Sequence, residues 1–116
     1  MFLPGQAKVY IVLGATDMRK AINGLAAEVS SQLEMDPYSG ALFVFCNKGR
    51  DILKVLYWDR NGFCLWNKRL EKGRFRWPKT AGEVLQIGSR ELSWLLSGLG
   101  VEQRLACPDM TFGKAM

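Results

Sequence analysis

Apolar residues along this chain occur in two patterns: short β-branched or aromatic runs, and recurrences every three or four positions. Val9-Tyr10-Ile11-Val12-Leu13, closed by Gly14, predicts a strand. Met18, Ile22, Leu25, Ala26, Val29 and Leu33 then recur at helical spacing, with Arg19, Lys20, Asn23, Ser30 and Gln32 between them. That spacing predicts an amphipathic helix over about residues 18–33, with Thr16 or Asp17 as its cap. Gly24 weakens such a helix by about 1 kcal/mol relative to alanine and leaves room for a neighbouring element. Asp36-Pro37-Tyr38-Ser39-Gly40 is turn chemistry, and the nearly all-apolar 41–45 run after it reads as a strand buried on both faces.

A second turn at 47–51 leads into two strand-like runs of about seven residues, separated by Asp59-Arg60-Asn61-Gly62. This reads as a hairpin with Gly62 left-handed in a glycine bulge. Its register is open. If Trp58 faces Cys64, one face is mostly apolar and Lys54 lies opposite Lys68; if Trp58 faces Phe63, the charges scatter over both faces. The single apolar face favours the first arrangement. Phe75-Arg76-Trp77 predicts a short strand stopped by Pro78, and Val84-Leu85-Gln86-Ile87 predicts another. Ser89 then caps a helix with Glu91 in its first turn and Leu92, Leu95, Leu96 and Leu99 on its apolar face, ended by Gly98 or Gly100.

Strand, helix, consecutive strands on short turns, then helix is the order of an α+β fold. A largely antiparallel meander sheet of about five or six strands is expected, with two helices packed on it, both able to cover the same face. Residues 1–100 form a single domain in this reading, and 101–116 form an extended or disordered tail. At 116 residues the chain can bury roughly 65% of its unfolded surface, enough for a core without staples.

Charge sharpens the picture. The net charge is +5, yet residues 48–79 hold ten Lys/Arg against Asp51, Asp59 and Glu71, a local +7 that leaves about −2 elsewhere. A directed field of this kind suits a polyanion. Lys48, Arg50, Lys54, Lys68, Arg69, Arg74 and Arg76 are candidate nucleic-acid contacts. Trp77 joins them, because exposed aromatics stack on unpaired bases. In Arg74-Phe75-Arg76-Trp77, strand alternation puts two arginines on one side and two aromatics on the other.

Other chemistries lack their residues. With no histidine, the commonest general base and any His-based triad are missing. Cys46, Cys64 and Cys107 have neither a CxxC pair nor metal spacing, which argues for reduced thiols in a cytoplasmic protein and for no metal site. No phosphate loop or dinucleotide fingerprint occurs. Asp17, Asp36, Asp51, Asp59 and Glu71 could assemble a metal-dependent nuclease only by converging on shared ions, and each has a cap, turn or strand-end explanation. No apolar run reaches the ~18 residues of a membrane span.

Several ordered motifs resemble a known family: Thr16-Asp17-Met18-Arg19-Lys20, Gly24-Leu25, Asp36-Pro37-Tyr38-Ser39-Gly40-Ala41-Leu42-Phe43-Val44-Phe45, Leu56-Tyr57-Trp58-Asp59, Gly62-Phe63-Cys64-Leu65-Trp66, Lys68-Arg69-Leu70-Glu71-Lys72-Gly73-Arg74-Phe75 and Trp77-Pro78. Together they resemble the accessory protein of insertion sequence 66 type transposable elements, over about residues 4–99. Cys46, where the family tends to carry arginine, Ala21, where glycine is expected, and the tail from Gly100 depart from it. The resemblance implies a small protein encoded beside a separate DDE-type transposase and needed for efficient transposition, with no catalytic activity and no cofactor. The expected partners are DNA and the element's transposase. Binding is expected through the basic hairpin, the alternative being an adaptor that docks on the transposase without touching DNA.

Overall fold

The computed structural model describes residues 7–78 and 84–97. Five strands form one sheet in the order β4-β3-β2-β1-β5. These are β1 (Val9–Val12), β2 (Leu42–Cys46), β3 (Ile52–Asp59), β4 (Gly62–Arg69) and β5 (Val84–Ile87). The α+β architecture and the antiparallel meander β2-β3-β4 agree with the pattern of the chain. One pair is parallel: β1 runs beside β2 in the same direction, joined through the first helix, and β5 closes the other side of β1 antiparallel. The expected tail at 101–116, the 79–83 loop and the helix end at Gly98 or Gly100 lie outside the described residues.

The two helices pack on opposite faces of the sheet, not on one. Helix α1 (Ile22–Ala27) places Leu25 against Val12, Phe43, Phe45 and Leu56, a cluster that Val29 of the following turn completes. Helix α2 (Ser89–Leu96) places Leu92 and Leu95 against Val9, Ile11, Val44, Leu53 and Val55, and Phe75 and Trp77 join that second cluster. Strand alternation feeds both, so β2 is buried at every position, as its continuous apolar run predicts.

Burial on both faces also decides the hairpin. The connection is a two-residue turn, with Asp59 paired to Gly62, and no bulge. The left-handed residue is Arg60 (φ 54°), not Gly62, and Asn61 N–H closes on Asp59 O at 2.5 Å. Trp58 therefore faces Phe63, and Lys54 faces Asn67 rather than Lys68. The expectation of one apolar face assumed a sheet covered on one side. With a layer on each side, apolar residues are needed on both.

Helix α1 begins later than its periodicity suggests. Its cap is Ala21, without a side-chain bond, while Asp17 Oδ1 accepts the Arg19 N–H at 2.9 Å in a tight turn before the helix. After Ala27 the helix widens into a π-helical turn over Glu28–Gln32, with Leu33 N–H reaching Glu28 O. Ser30 and Ser31 hydroxyls both donate to the Ala27 carbonyl at that junction, which loosens the ordinary ladder. A Cβ at Gly24 would meet Lys20 Cβ at 3.2 Å, so the close neighbour is the lysine stem of the same segment, not another element. Helix α2 is capped by Gly88, whose N–H donates to Glu91 Oε1 at 2.9 Å.

Cys46 is fully buried, and burial pushes its thiol up to about 12, while Cys64 on β4 is half-buried. In native protein at pH 8 a thiol reagent is expected to modify Cys64 and spare Cys46, with Cys46 reacting only after denaturation. Peptide mapping of the labelled protein checks this; equal native labelling of the two would contradict the packing of β2.

Candidate nucleic-acid interface

Strand directions bring distant cations to one end of the sheet. Parallel β1 and β2 both finish there, β3 starts there, and β4 ends there. The turn after β2 carries Lys48 and Arg50, and β4 ends on Arg69. The chain then crosses over the end of the sheet. Leu70 N–H donates to Asp51 O at 2.8 Å, Phe75 N–H to Arg50 O at 2.6 Å, and Pro78 O accepts from Gly14 N–H at 3.2 Å. This crossing keeps strand-like alternation without sheet pairing: Phe75 and Trp77 point into the core, and Arg74 and Arg76 point out. The short strand expected at Phe75-Arg76-Trp77 is absent because the backbone bonds there go to turns rather than to a neighbouring strand.

Among the described residues, Lys48, Arg50, Arg69, Lys72, Arg74 and Arg76 therefore share this end with Asp51 and Glu71, and with Arg19 and Asp17, which pair with each other. The two ion pairs among the described residues, Arg19–Asp17 and Lys20–Glu28, involve none of the six. At the opposite end, Glu34, Asp36, Asp59 and Glu91 outnumber Lys8, Arg60 and Arg90. Over the described residues the sheet is polarised along its strands, from net +4 at one end to net −1 at the other.

The turn that presents Lys48 and Arg50 is held firmly. Asn47 Oδ1 accepts from both Asp51 and Ile52 N–H at 3.0 Å, and Asn47 Nδ2 donates to Asp51 Oδ1 at 2.7 Å. Arg50 sits in the left-handed region (φ 60°), a conformation disfavoured for a non-glycine residue and fixed here by bonds from both its N–H and its C=O. A hollow of ≈ 240 Å³ lies beside it, lined by Gly14, Ala15, Asn47, Lys48, Arg50, Trp77 and Pro78.

Three of the sequence-predicted contacts take other roles. Trp77 is core, 5% exposed, and its Nε1 donates to Val12 O at 3.1 Å and Gly14 O at 3.0 Å. No ring face is left for a base, so Trp77 is not a stacking platform. Lys54 lies on the α1 side, where its Nζ donates to Met18 O at 3.0 Å and Lys20 O at 3.1 Å. Lys68 lies on the α2 side, where its Nζ donates to Leu96 O at 2.6 Å, a cation at a helix C-terminus. The hairpin itself thus offers no basic face. Lys48, Arg50, Arg69, Arg74 and Arg76 remain together.

Periodicity points to a shared face, whereas the fold provides a shared end. The residues that periodicity misses, Gly14, Ala15 and Pro78, lie on loops that follow parallel β1 or cross beside it. A strand–helix–strand pattern over residues 9–46 is the signal that would place them, because it makes two strands end side by side. Trp58 is half-buried and forms a cluster with exposed Tyr38 and with Phe63, centroids 5.0–5.1 Å apart, at the far end.

Arg19, also near the basic end, is occupied. Its Nη2 lies 2.8 Å from Asp17 Oδ2, and its side-chain and backbone N–H groups hold the Asp17 carboxyl down at about 2 rather than 3.8. The fold favours the charged form. The contribution is therefore present above pH 3.8 and is lost as pH falls through about 2. A carboxyl titration by NMR is expected to place the Asp17 midpoint near 2, and Arg19→Ala to return it towards 3.8. A midpoint that Arg19→Ala leaves in place would contradict this pairing.

Among the described residues no group of three or more His, Cys, Asp or Glu side chains could hold a metal ion, and no helix is long and apolar enough to cross a membrane. No solved structure matches the chain. Two relatives from Sinorhizobium fredii do. The uncharacterized protein y4hO is 44% identical over 92 residues, covering 79% of this chain and 80% of the relative. The uncharacterized protein y4jC is 39% identical over 92 residues, covering 79% of each. The family profile described as IS66 Orf2 like protein matches residues 7–106, which contain both the sheet and the basic end. The chain therefore belongs to the IS66 Orf2-like family, the accessory proteins of insertion-sequence transposition.

Proposed function

We propose that the protein serves transposition without catalysing a step of it, by laying its basic end on the phosphate backbone of DNA in the bacterial cytoplasm. One observation supports this above the others: six cations gathered at one end of the sheet against Asp51 and Glu71, none of the six in an ion pair among the described residues. Cations held this way release counterions when they meet phosphates. Among the described residues no base-reading element lies beside them, so the reading is of a contact to backbone and shape rather than to sequence. A salt titration of duplex binding, read by fluorescence anisotropy, tests the reading. Affinity that falls steeply and linearly in log salt is expected; no binding at low salt overturns it.

The adaptor reading keeps one observation of its own. The Tyr38–Trp58–Phe63 cluster, with Tyr38 59% exposed, is an aromatic surface at the end away from the cations, suited to a protein partner. Co-purification with the element's transposase, with nuclease present throughout, separates the two. A complex that survives nuclease and high salt, from a protein that binds no duplex alone, favours the adaptor.

A further inference from the structure

The outer edge of β4 is eight residues long, unbroken by proline or bulge, and among the described residues it is paired on one side only. Which of its backbone groups are free follows from one bond. Leu70 N–H donates to Asp51 O, so Leu70 and Asp51 form a hydrogen-bonded pair of the antiparallel ladder. Such pairs alternate along a ladder. With the observed register, Gly62, Cys64, Trp66 and Lys68 therefore bond inward to β3, and Phe63, Leu65, Asn67 and Arg69 point both N–H and C=O outward. Edges left open in this way are normally blunted by short length, proline, bulges or free charge. Here the strand is long and uncharged from Gly62 to Asn67, and the Lys68 head is tied to Leu96 O.

We propose that this edge pairs with the β4 edge of a second copy of the chain, antiparallel about a two-fold axis at Trp66, making one continuous sheet across two protomers. The register follows from the free groups. Centred on Trp66, Phe63 meets the partner's Arg69 and Leu65 meets the partner's Asn67, twice over by symmetry. All four outward residues of each copy then fall in hydrogen-bonded pairs, and every free N–H and C=O among them finds a mate. Shifting the centre to Leu65 pairs Phe63 with Asn67 but leaves Arg69 opposite the Asn61 turn, outside the strand.

The side chains agree with this register. Arg69 comes to lie across from an aromatic ring, and Trp66 from its own symmetry copy. Charge selects the orientation. Antiparallel pairing brings the basic end of each protomer beside the other's turn end, where Glu34, Asp36 and Asp59 outnumber Arg60, whereas parallel pairing would put two basic ends side by side. The dimer presents its two basic ends at opposite extremes of the joined sheet. The pairing does not depend on DNA binding and is tested without DNA.

Sedimentation of the full chain at about 100 µM, where a micromolar dimer is almost fully formed, is expected to give the mass of two chains. Amide exchange in the same sample is expected to show Phe63, Leu65, Asn67 and Arg69 protected alongside their inward-bonded neighbours. Asn67→Pro removes an outward N–H without touching the β3 ladder, and is expected to give a monomer with an unchanged circular dichroism spectrum. A monomeric wild-type chain overturns the proposal. So does a dimer in which those four amides exchange freely, and this readout needs no variant, so it decides even if Asn67→Pro fails to fold.

Discussion

Trp77→Ala is expected to destabilise the domain by about 3–5 kcal/mol, the range for deleting a large aromatic from a core. The ring is 5% exposed and packs in the cluster that joins α2 to the sheet. Its Nε1 also ties together Val12 O and Gly14 O, the end of β1 and the loop after it. Truncation removes the volume and leaves two carbonyls without their donor. Domains of this size hold about 5–15 kcal/mol in total, so much of the margin goes, and the melting temperature should fall by more than about 10 °C. Trp77→Phe separates the causes: it keeps most of the volume and loses the bonds, at a cost of about 1–3 kcal/mol. Chemical denaturation of both variants checks this. A loss below about 1 kcal/mol for Trp77→Ala would mean that the residue is not core, and would reopen its role as a contact.

Trp77 also shows where the sequence is legible and where it is not. Alternation in Arg74-Phe75-Arg76-Trp77 correctly separates the arginines from the aromatics, because a pattern of two survives even without sheet pairing. It does not say which side is inside, since exposure is set by what packs above. The continuous apolar run of β2 is readable for the opposite reason: a strand with no polar side needs cover on both faces, and the structure supplies it. The same two-sided cover extends over the hairpin, whose mixed residues do not announce it, and there the register differs from the expected one by one residue. Asp17 has a good capping side chain, yet its carboxylate goes to Arg19, an ionic partner two residues on, and the helix begins at Ile22. A local charged bond outcompetes a local cap. The basic end is out of reach of any periodicity, because Lys48, Arg69 and Arg76 become neighbours only through strand direction.

Replacing Lys48, Arg69, Arg74 and Arg76 together by alanine is expected to flatten the salt dependence of DNA binding by about 3.6 in log–log slope, about 0.9 for each phosphate no longer neutralised. At low salt the affinity should fall at least about 100-fold. Stability should change little, because none of the four forms an ion pair among the described residues and all are exposed. The matching control replaces Lys8, Arg60 and Arg90, cations of the opposite end, which removes three charges and should leave the slope almost unchanged. An equal loss in both variants would show that net charge alone draws DNA, and would remove the interface. Lys68 makes the distinction sharper. It lies beside Arg69 in sequence, but its ammonium is bound to Leu96 O at the end of α2. Lys68→Met should therefore weaken folding by about 0.3–1 kcal/mol and leave the slope in place. If two adjacent cations separate in this way, one in stability and one in binding, then the end of the sheet and not the hairpin is the surface that meets DNA.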